Sequence, residues 1–366
     1  MKQLFASASL LALLAQPALA AKAPQFSELP NHRFSGGIEL RAKSDSNVGA
    51  TPGQQGTRFE DFDTDRGDED DADLNDDFGD EMLDDLVDDS ELNFEDLEEQ
   101  DDGADEDADG DDDALDANSG PASRRDSDLG ASAKLSLGHA YTISKRVQWK
   151  TAALVNGTRQ QDRDDLERYN WALNTGPVVK LSKSVTMQPS LTYAENSQDG
   201  ERKTDSWIGS LGAAWKATKQ LKLQGRYNYQ SRDVVDARGA DADVNGLKLG
   251  AKYSLTKKDV FAFAFSPNIE DNSRAAQDKD RYGFELGYNR KLPWKLGLAA
   301  NMRRTYTDYT NLGREDTQSQ YALGLQKKFA RGFYSGVAVD YAERDSNIAG
   351  KDFDNTSFLL TSGWKF

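Results

Sequence analysis

From Leu129 to Phe366 the chain alternates apolar and polar side chains with a period of two, in runs of about ten residues. The stretch 220–233, QLKLQGRYNYQSRD, shows it most plainly. Leu221, Leu223, Gly225, Tyr227 and Tyr229 share one face, and Lys222, Gln224, Arg226, Asn228 and Gln230 share the other. Thirteen such strands are expected near 129–141, 147–158, 169–181, 185–195, 206–217, 220–232, 246–255, 259–267, 281–290, 294–307, 319–329, 333–344 and 356–366. An earlier run over 33–44, RFSGGIELRAKS, alternates in the same way and brings the count to fourteen. Short connections near 144–146, 182–183, 218–219, 257–258, 292–293 and 331–332 take turns with longer polar ones. The longer ones fall at 159–168, 196–205, 233–245, 268–280, 308–318 and 345–355. An even strand count with this rhythm predicts an all-β fold, a transmembrane antiparallel up-and-down β-barrel of about fourteen strands. Short turns and both termini are then periplasmic, and the longer loops lie outside.

Aromatic residues on the apolar parity gather at both ends of the strands. Tyr141, Trp149, Trp215, Tyr253, Phe261, Trp294, Phe329, Phe333 and Trp364 sit near the turns. Tyr169, Trp171, Tyr193, Trp207, Tyr229, Tyr282, Tyr306, Tyr321 and Tyr341 sit near the loops. A soluble sheet can bury an aromatic stripe, but it has no reason to thicken it at two levels, whereas a bilayer has two interfaces. The chain ends SFLLTSGWKF, with Phe358, Leu360, Trp364 and Phe366 on alternate positions and Ser362 breaking the run. This ending resembles the C-terminal assembly signal of bacterial outer-membrane proteins, which implies the barrel-assembly machinery as a partner.

Ahead of the barrel, 1–20 reads as a secretory signal peptide, with Lys2, an apolar run over 4–14 and the small-x-small site Ala18-Leu19-Ala20. Residues 21–32 form a short periplasmic lead, 33–44 the first strand, 45–127 loop 1, and 128–366 the remainder of the barrel. Export without a long apolar helix points to the outer membrane of a Gram-negative cell, with its lipid and lipopolysaccharide as surroundings. Cysteine is absent, which removes disulfides and thiolate chemistry.

The net charge of −18 conceals two opposite parts. Residues 60–116 hold 32 acids against a single base, Arg66, so the rest of the chain carries 44 bases and 31 acids. Such charge density cannot collapse into a core, and loop 1 is expected to be mostly disordered. Within it, DEDADGDDDALD spells D-x-D-x-D-G with an acid at the twelfth place. Asp105, Asp107, Asp109 and Asp116 could hold Ca²⁺ weakly, although the last position wants a longer Glu and Asp112 replaces an apolar anchor. Met82, Leu83, Leu86 and Val87, then Phe94 and Leu97, have the spacing of a short acidic helix, or of scattered apolar residues in an unstructured tract.

The polar parity of the strands is basic. Arg41, Lys134, Lys150, Lys222, Arg226, Lys248, Lys252 and Arg303 are expected to line the pore. Lys43, Lys180, Lys216, Arg290, Lys295, Lys328, Arg344 and Lys365 share their parity, and only Glu39, Glu285 and Asp340 oppose them. Rings of Lys and Arg favour anions. Catalysis finds no constellation: the two histidines are His32 and His139, the second in the step His139-Ala140-Tyr141, and no loop carries a histidine to activate a hydroxyl. The protein is therefore expected to be no enzyme, to require no cofactor and to bind no nucleic acid.

One stretch, FSGGIELRAKSDSNV over 34–48, resembles the opening of the barrel in the surface lipoprotein assembly modifier family. That resemblance implies a fourteen-strand barrel coupled to export of surface lipoproteins. The family's periplasmic tetratricopeptide domain has no room in 21–32, so no export residue carries over. Three roles follow: a passive or gated channel for small, anion-leaning solutes; an export barrel of the assembly-modifier type; and a surface protein whose acidic loop binds cations or a basic partner.

Overall fold

The computed structural model describes residues 31–45, 128–161, 167–235, 240–348 and 351–366. The expected signal peptide, loop 1 with its Asp105, Asp107, Asp109 and Asp116, and the candidate helix near 82–97 lie outside the described residues.

Fourteen antiparallel strands close into one barrel. They are β1 (His32–Asp45), β2 (Asp128–Ser144), β3 (Val147–Gln160), β4 (Arg168–Lys180), β5 (Val185–Gln198), β6 (Glu201–Lys216) and β7 (Leu221–Val234). The ring continues through β8 (Ala242–Ser254), β9 (Asp259–Asn272), β10 (Lys279–Leu292), β11 (Leu296–Tyr309), β12 (Arg314–Lys328), β13 (Phe333–Ser346) and β14 (Phe353–Lys365). Each strand pairs with its neighbours in sequence, and β1 pairs with β14, so no backbone edge is left open. The two ends of the connection between β1 and β2 meet in register, Asp45 against Asp128, at the end of the barrel that carries the longer loops.

The alternation becomes a wall with two chemistries. On β4, Tyr169, Trp171 and Leu173 are exposed on the outside while Asn170, Ala172 and Asn174 are buried on the inside. All eighteen aromatic side chains of the two expected belts keep the outer parity or sit in the adjoining turns, as Trp294 does, 82% exposed. Between the belts the exterior is aliphatic and Phe-rich, with Leu211, Phe263, Leu286, Leu323 and Val337 all exposed.

The strands extend further at the loop end than alternation suggests. Residues 196–205, expected as a loop, belong mostly to β5 and β6, joined through Asp199 and Gly200 at φ of 51° and 72°. Two consecutive positive-φ residues make the tight turn that matches strand twist. Likewise 308–318 is strand apart from the four residues between Tyr309 and Arg314. Beyond the apolar band both faces of a strand meet water, so alternation is lost while the backbone ladder persists.

Three turns at the opposite end share one device. Ser182 Oγ accepts the N–H groups of Ser184 and Val185, Thr218 Oγ1 those of Gln220 and Leu221, and Thr256 Oγ1 those of Lys258 and Asp259. Each hydroxyl residue is followed by lysine, a repeated Ser/Thr-Lys turn that satisfies the backbone locally.

Candidate functional site

The inner face divides by height. Within four residues of the turn end, the inward positions hold Arg33, Lys150, Lys180, Lys216, Lys222, Lys252, Lys291, Lys328 and Lys365. Among the described residues no acid occupies an inward position at that level. Three of these bases stand side by side: Lys216 is registered against Lys222, and Lys222 against Lys252. Neighbouring strands lie about 4.8 Å apart, and like charges placed opposite one another destabilise a sheet. The three lysines therefore concentrate like charge on one stretch of the inner wall.

Higher in the lumen the inward acids Glu285 and Glu39 are enclosed by bases. Glu285 lies between Lys248 at 3.8 Å and Arg303 at 3.6 Å. Glu39 accepts from Arg41 at 2.5 Å, and Lys134 is its registered neighbour on β2. At the loop end Glu270 takes Arg232 at 2.9 Å and Lys279 at 3.7 Å, all three buried. Arg314 and Asp316 pair at 2.6 Å, and the Arg314 guanidinium lies 4.6 Å from the centre of the Tyr309 ring.

All eight expected pore-lining residues project inward. Lys150, Lys222 and Lys252 fall in the basic ring at the turn end, Arg226 is registered beside Lys248, and Arg41, Lys134, Lys248 and Arg303 surround Glu39 and Glu285. Two other expectations fail. Arg290 lies on the outer face, 3.4 Å from Asp259, and Lys295 sits in the turn after β10 at φ 58°. Arg290 continues the even-numbered run of Tyr282, Phe284, Leu286 and Tyr288, so the alternation itself turns it outward, and Lys295 falls in the turn before β11 begins. Glu270 and Asp316 also join the inward acids, because the strands carrying them extend beyond the alternating segments.

The wall between β3 and β7 differs again. Midway along β4 to β6, away from the basic turn end, the inward positions are mostly short and neutral: Asn174 donates to Thr192 at 2.6 Å, and Ala172, Ala194, Ser206 and Ala214 are buried beside them. Long charged side chains project from β7 to β12, and the short ones leave them room.

The barrel closes on residues at its two termini. The Phe366 N–H and carbonyl exchange hydrogen bonds of 2.9 Å with Gly36, and the Phe366 ring lies over Gly36, where a Cβ would collide with it. Phe358, Leu360, Ser362 and Trp364 face outward along the same strand. Inside, the Tyr334 ring crosses β14 over Gly363, and its hydroxyl donates to Glu39 on β1 at 2.5 Å. Nothing in the sequence pattern announces that bridge, which joins positions 295 residues apart.

No family model and no curated protein matches the chain. Similar solved structures include OmpT, an outer membrane protein of Vibrio cholerae, at 10% identity and TM-score 0.46, over 66% of this chain and 92% of that one. The anion-selective porin from Comamonas acidovorans aligns at 7% identity and TM-score 0.45, over 92% and 99%. A TodX monoaromatic hydrocarbon channel mutant aligns at 9% identity and TM-score 0.44, over 95% and 94%. At these scores the likenesses carry no functional argument.

Proposed function

We propose that the protein is an outer-membrane channel for small anions, with the turn end of the barrel in the periplasm and loop 1 at the cell surface. The observation that carries the reading is the basic ring at the turn end, above all the registered rung Lys216, Lys222 and Lys252. Around Glu285 one acid offsets one of two bases, and the nine bases gathered at the turn end attract counter-ions into the lumen. Transport rather than catalysis fits the chemistry, since the two histidines face each other on the outer surface rather than a nucleophile. The barrel's apolar exterior suits lipid and lipopolysaccharide, and β14 with its terminal Phe366 suits recognition by the assembly machinery. Loop 1 joins Asp45 to Asp128, which meet in register at the loop end, and attraction between its acids and the basic lumen needs no fixed pose. Its carboxylates, Asp105, Asp107, Asp109 and Asp116 among them, would take up Ca²⁺ and relax that attraction.

Reversal potentials in planar bilayers under a KCl gradient test the reading. Anion preference is expected, and deletion of 60–116 should raise conductance and strengthen that preference at about 0.1 M salt. The difference should vanish near about 1 M, where the screening length falls from about 10 Å to about 3 Å. A deletion variant that conducts nothing, or prefers cations, overturns the proposal.

The export reading rests on the Gly-rich opening of β1. That opening has a local physical use here, because Gly36 receives the Phe366 ring and Gly37 packs close to the backbone oxygen of Trp364. Closure of the barrel accounts for both glycines without an export role.

A further inference from the structure

The chain holds two histidines and no cysteine, and the fold brings those two histidines together from 107 residues apart. His32 opens β1 and His139 lies near the end of β2, both on the outer face at the turn end. His32 Nδ1 and His139 Nε2 are 2.9 Å apart, and the rings stack at 5.2 Å between centroids with 23° between planes. Tyr141 packs on His32 at 4.7 Å and Phe34 on His139 at 4.8 Å, so an aromatic ring flanks each imidazole. The entry of β1 is fixed as well, since the Asn31 carbonyl accepts the Thr142 N–H at 2.8 Å.

We propose that His32 and His139 form a two-imidazole site for a divalent transition-metal cation of the copper(II) or nickel(II) type, joining β1 to β2 on the outside of the barrel. Imidazole nitrogens bind such metals at about 2.0–2.1 Å, so two of them at right angles on one ion lie about 2.9 Å apart, whereas a tetrahedral pair lies about 3.3–3.4 Å apart. The observed 2.9 Å is a hydrogen bond between the two rings, so the nitrogens already converge on one point. The choice of metal rests on the high affinity of copper(II) and nickel(II) for imidazole in the first-row series. Each nitrogen must offer a lone pair to the metal. The proton now bridging the pair moves, through solvent, to the other nitrogen of its own ring, and the neutral imidazoles then donate together. Water completes the coordination sphere. Hard cations such as Ca²⁺ prefer oxygen donors and belong with the carboxylates of loop 1, not here.

The position gives the site a consequence. β1 is held to β14 by only nine registered pairs, Gly37 to Asp45 against Lys365 to Ser357, before the Phe366 contact. Metal at His32 and His139 clips the other side of the same strand, so occupancy should resist opening of the barrel at its closing strand.

The test uses the untagged full-length protein purified in detergent and titrated with Cu²⁺, with an excess of Ca²⁺ present to saturate the acidic tract. Electron paramagnetic resonance should show one copper with two equatorial imidazole nitrogens, and the unfolding temperature should rise. His32→Ala and His139→Ala should each lose one nitrogen and bind about tenfold or more weakly, and the double variant should lose the signal. His32→Gln and His139→Gln, checked for assembly by heat-dependent gel mobility, guard against a folding defect. Copper bound only by oxygen, or binding unchanged in the double variant, overturns the site. So does a signal that disappears on deleting 60–116 with both histidines present.

Discussion

The two ends of the lumen spend their charged residues in opposite ways. At the loop end the inward acids Glu270 and Asp316 sit against bases, Glu270 between Arg232 and Lys279, and these buried groups form ion pairs that fix side chains. At the turn end Lys216, Lys222 and Lys252 are registered in one row, so bases stand beside bases. Closure of the barrel at that end uses ring contacts, Phe366 on Gly36 and Tyr334 over Gly363, and one hydrogen bond from the Tyr334 hydroxyl to the Glu39 carboxylate. A count of inward bases therefore misjudges the field of the pore. What matters is whether an acid stands beside each one, since a pair largely cancels at a distance while a like-charged row adds up.

The largest effect should come from reversing that row. Lys216→Glu, Lys222→Glu and Lys252→Glu together should turn anion preference into cation preference, read as a change in sign of the reversal potential at low salt. The reversal of Lys248 and Arg303 should move the same potential by a smaller amount, because it changes two bases rather than three and Glu285 already offsets one of them. Equal shifts per reversed base from the two sets would mean that height in the lumen does not matter and that only total charge does.

Stability should show the opposite ranking. Glu270→Gln leaves Arg232 and Lys279 buried beside a neutral group, and breaking a buried pair in this way costs about 3–5 kcal/mol. Lys252→Gln at the other end relieves like-charge repulsion and should leave stability unchanged or slightly higher. Reversible denaturant unfolding from lipid vesicles, followed by tryptophan fluorescence, distinguishes the two. A Glu270→Gln barrel as stable as the parent would show that the loop-end network is not a stabilising element.

Much of this arrangement was legible in the sequence because the bilayer-spanning parts of a barrel obey a period of two. Fourteen strands, the outward aromatic belts and the inward parity of Arg41, Lys134 and Lys222 all follow from it. Legibility stopped where the period stops. Residues 196–205 and 308–318 read as loops because both faces are polar, whereas Arg290, on the parity of Tyr288, is outward by the alternation itself. Contacts that depend on closure could not be read at all. His32 meets His139 through the pairing of β1 with β2 across the long acidic connection, and Tyr334 reaches Glu39 because Gly363 lets a ring lie flat on β14. Pattern gives the face of a residue, but not its partner two strands away.

That last bridge offers the smallest effect and the finest test of the contrast between ends. Tyr334 is buried and its hydroxyl donates to the Glu39 carboxylate, which Arg41 also holds. A hydrogen bond to a charged group contributes about 1.5–3 kcal/mol. Tyr334→Phe removes that bond while keeping the ring over Gly363, so unfolding should become easier by about that amount. Because the lost group is uncharged and Glu39 keeps Arg41, the reversal potential should stay where it is. Glu39→Gln combined with Tyr334→Phe should cost less than the sum of the two single changes, since residues in one network couple. Additive costs would show that the hydroxyl and the carboxylate do not support each other. A shifted reversal potential in Tyr334→Phe would show that closure and selectivity at the turn end are one device rather than two.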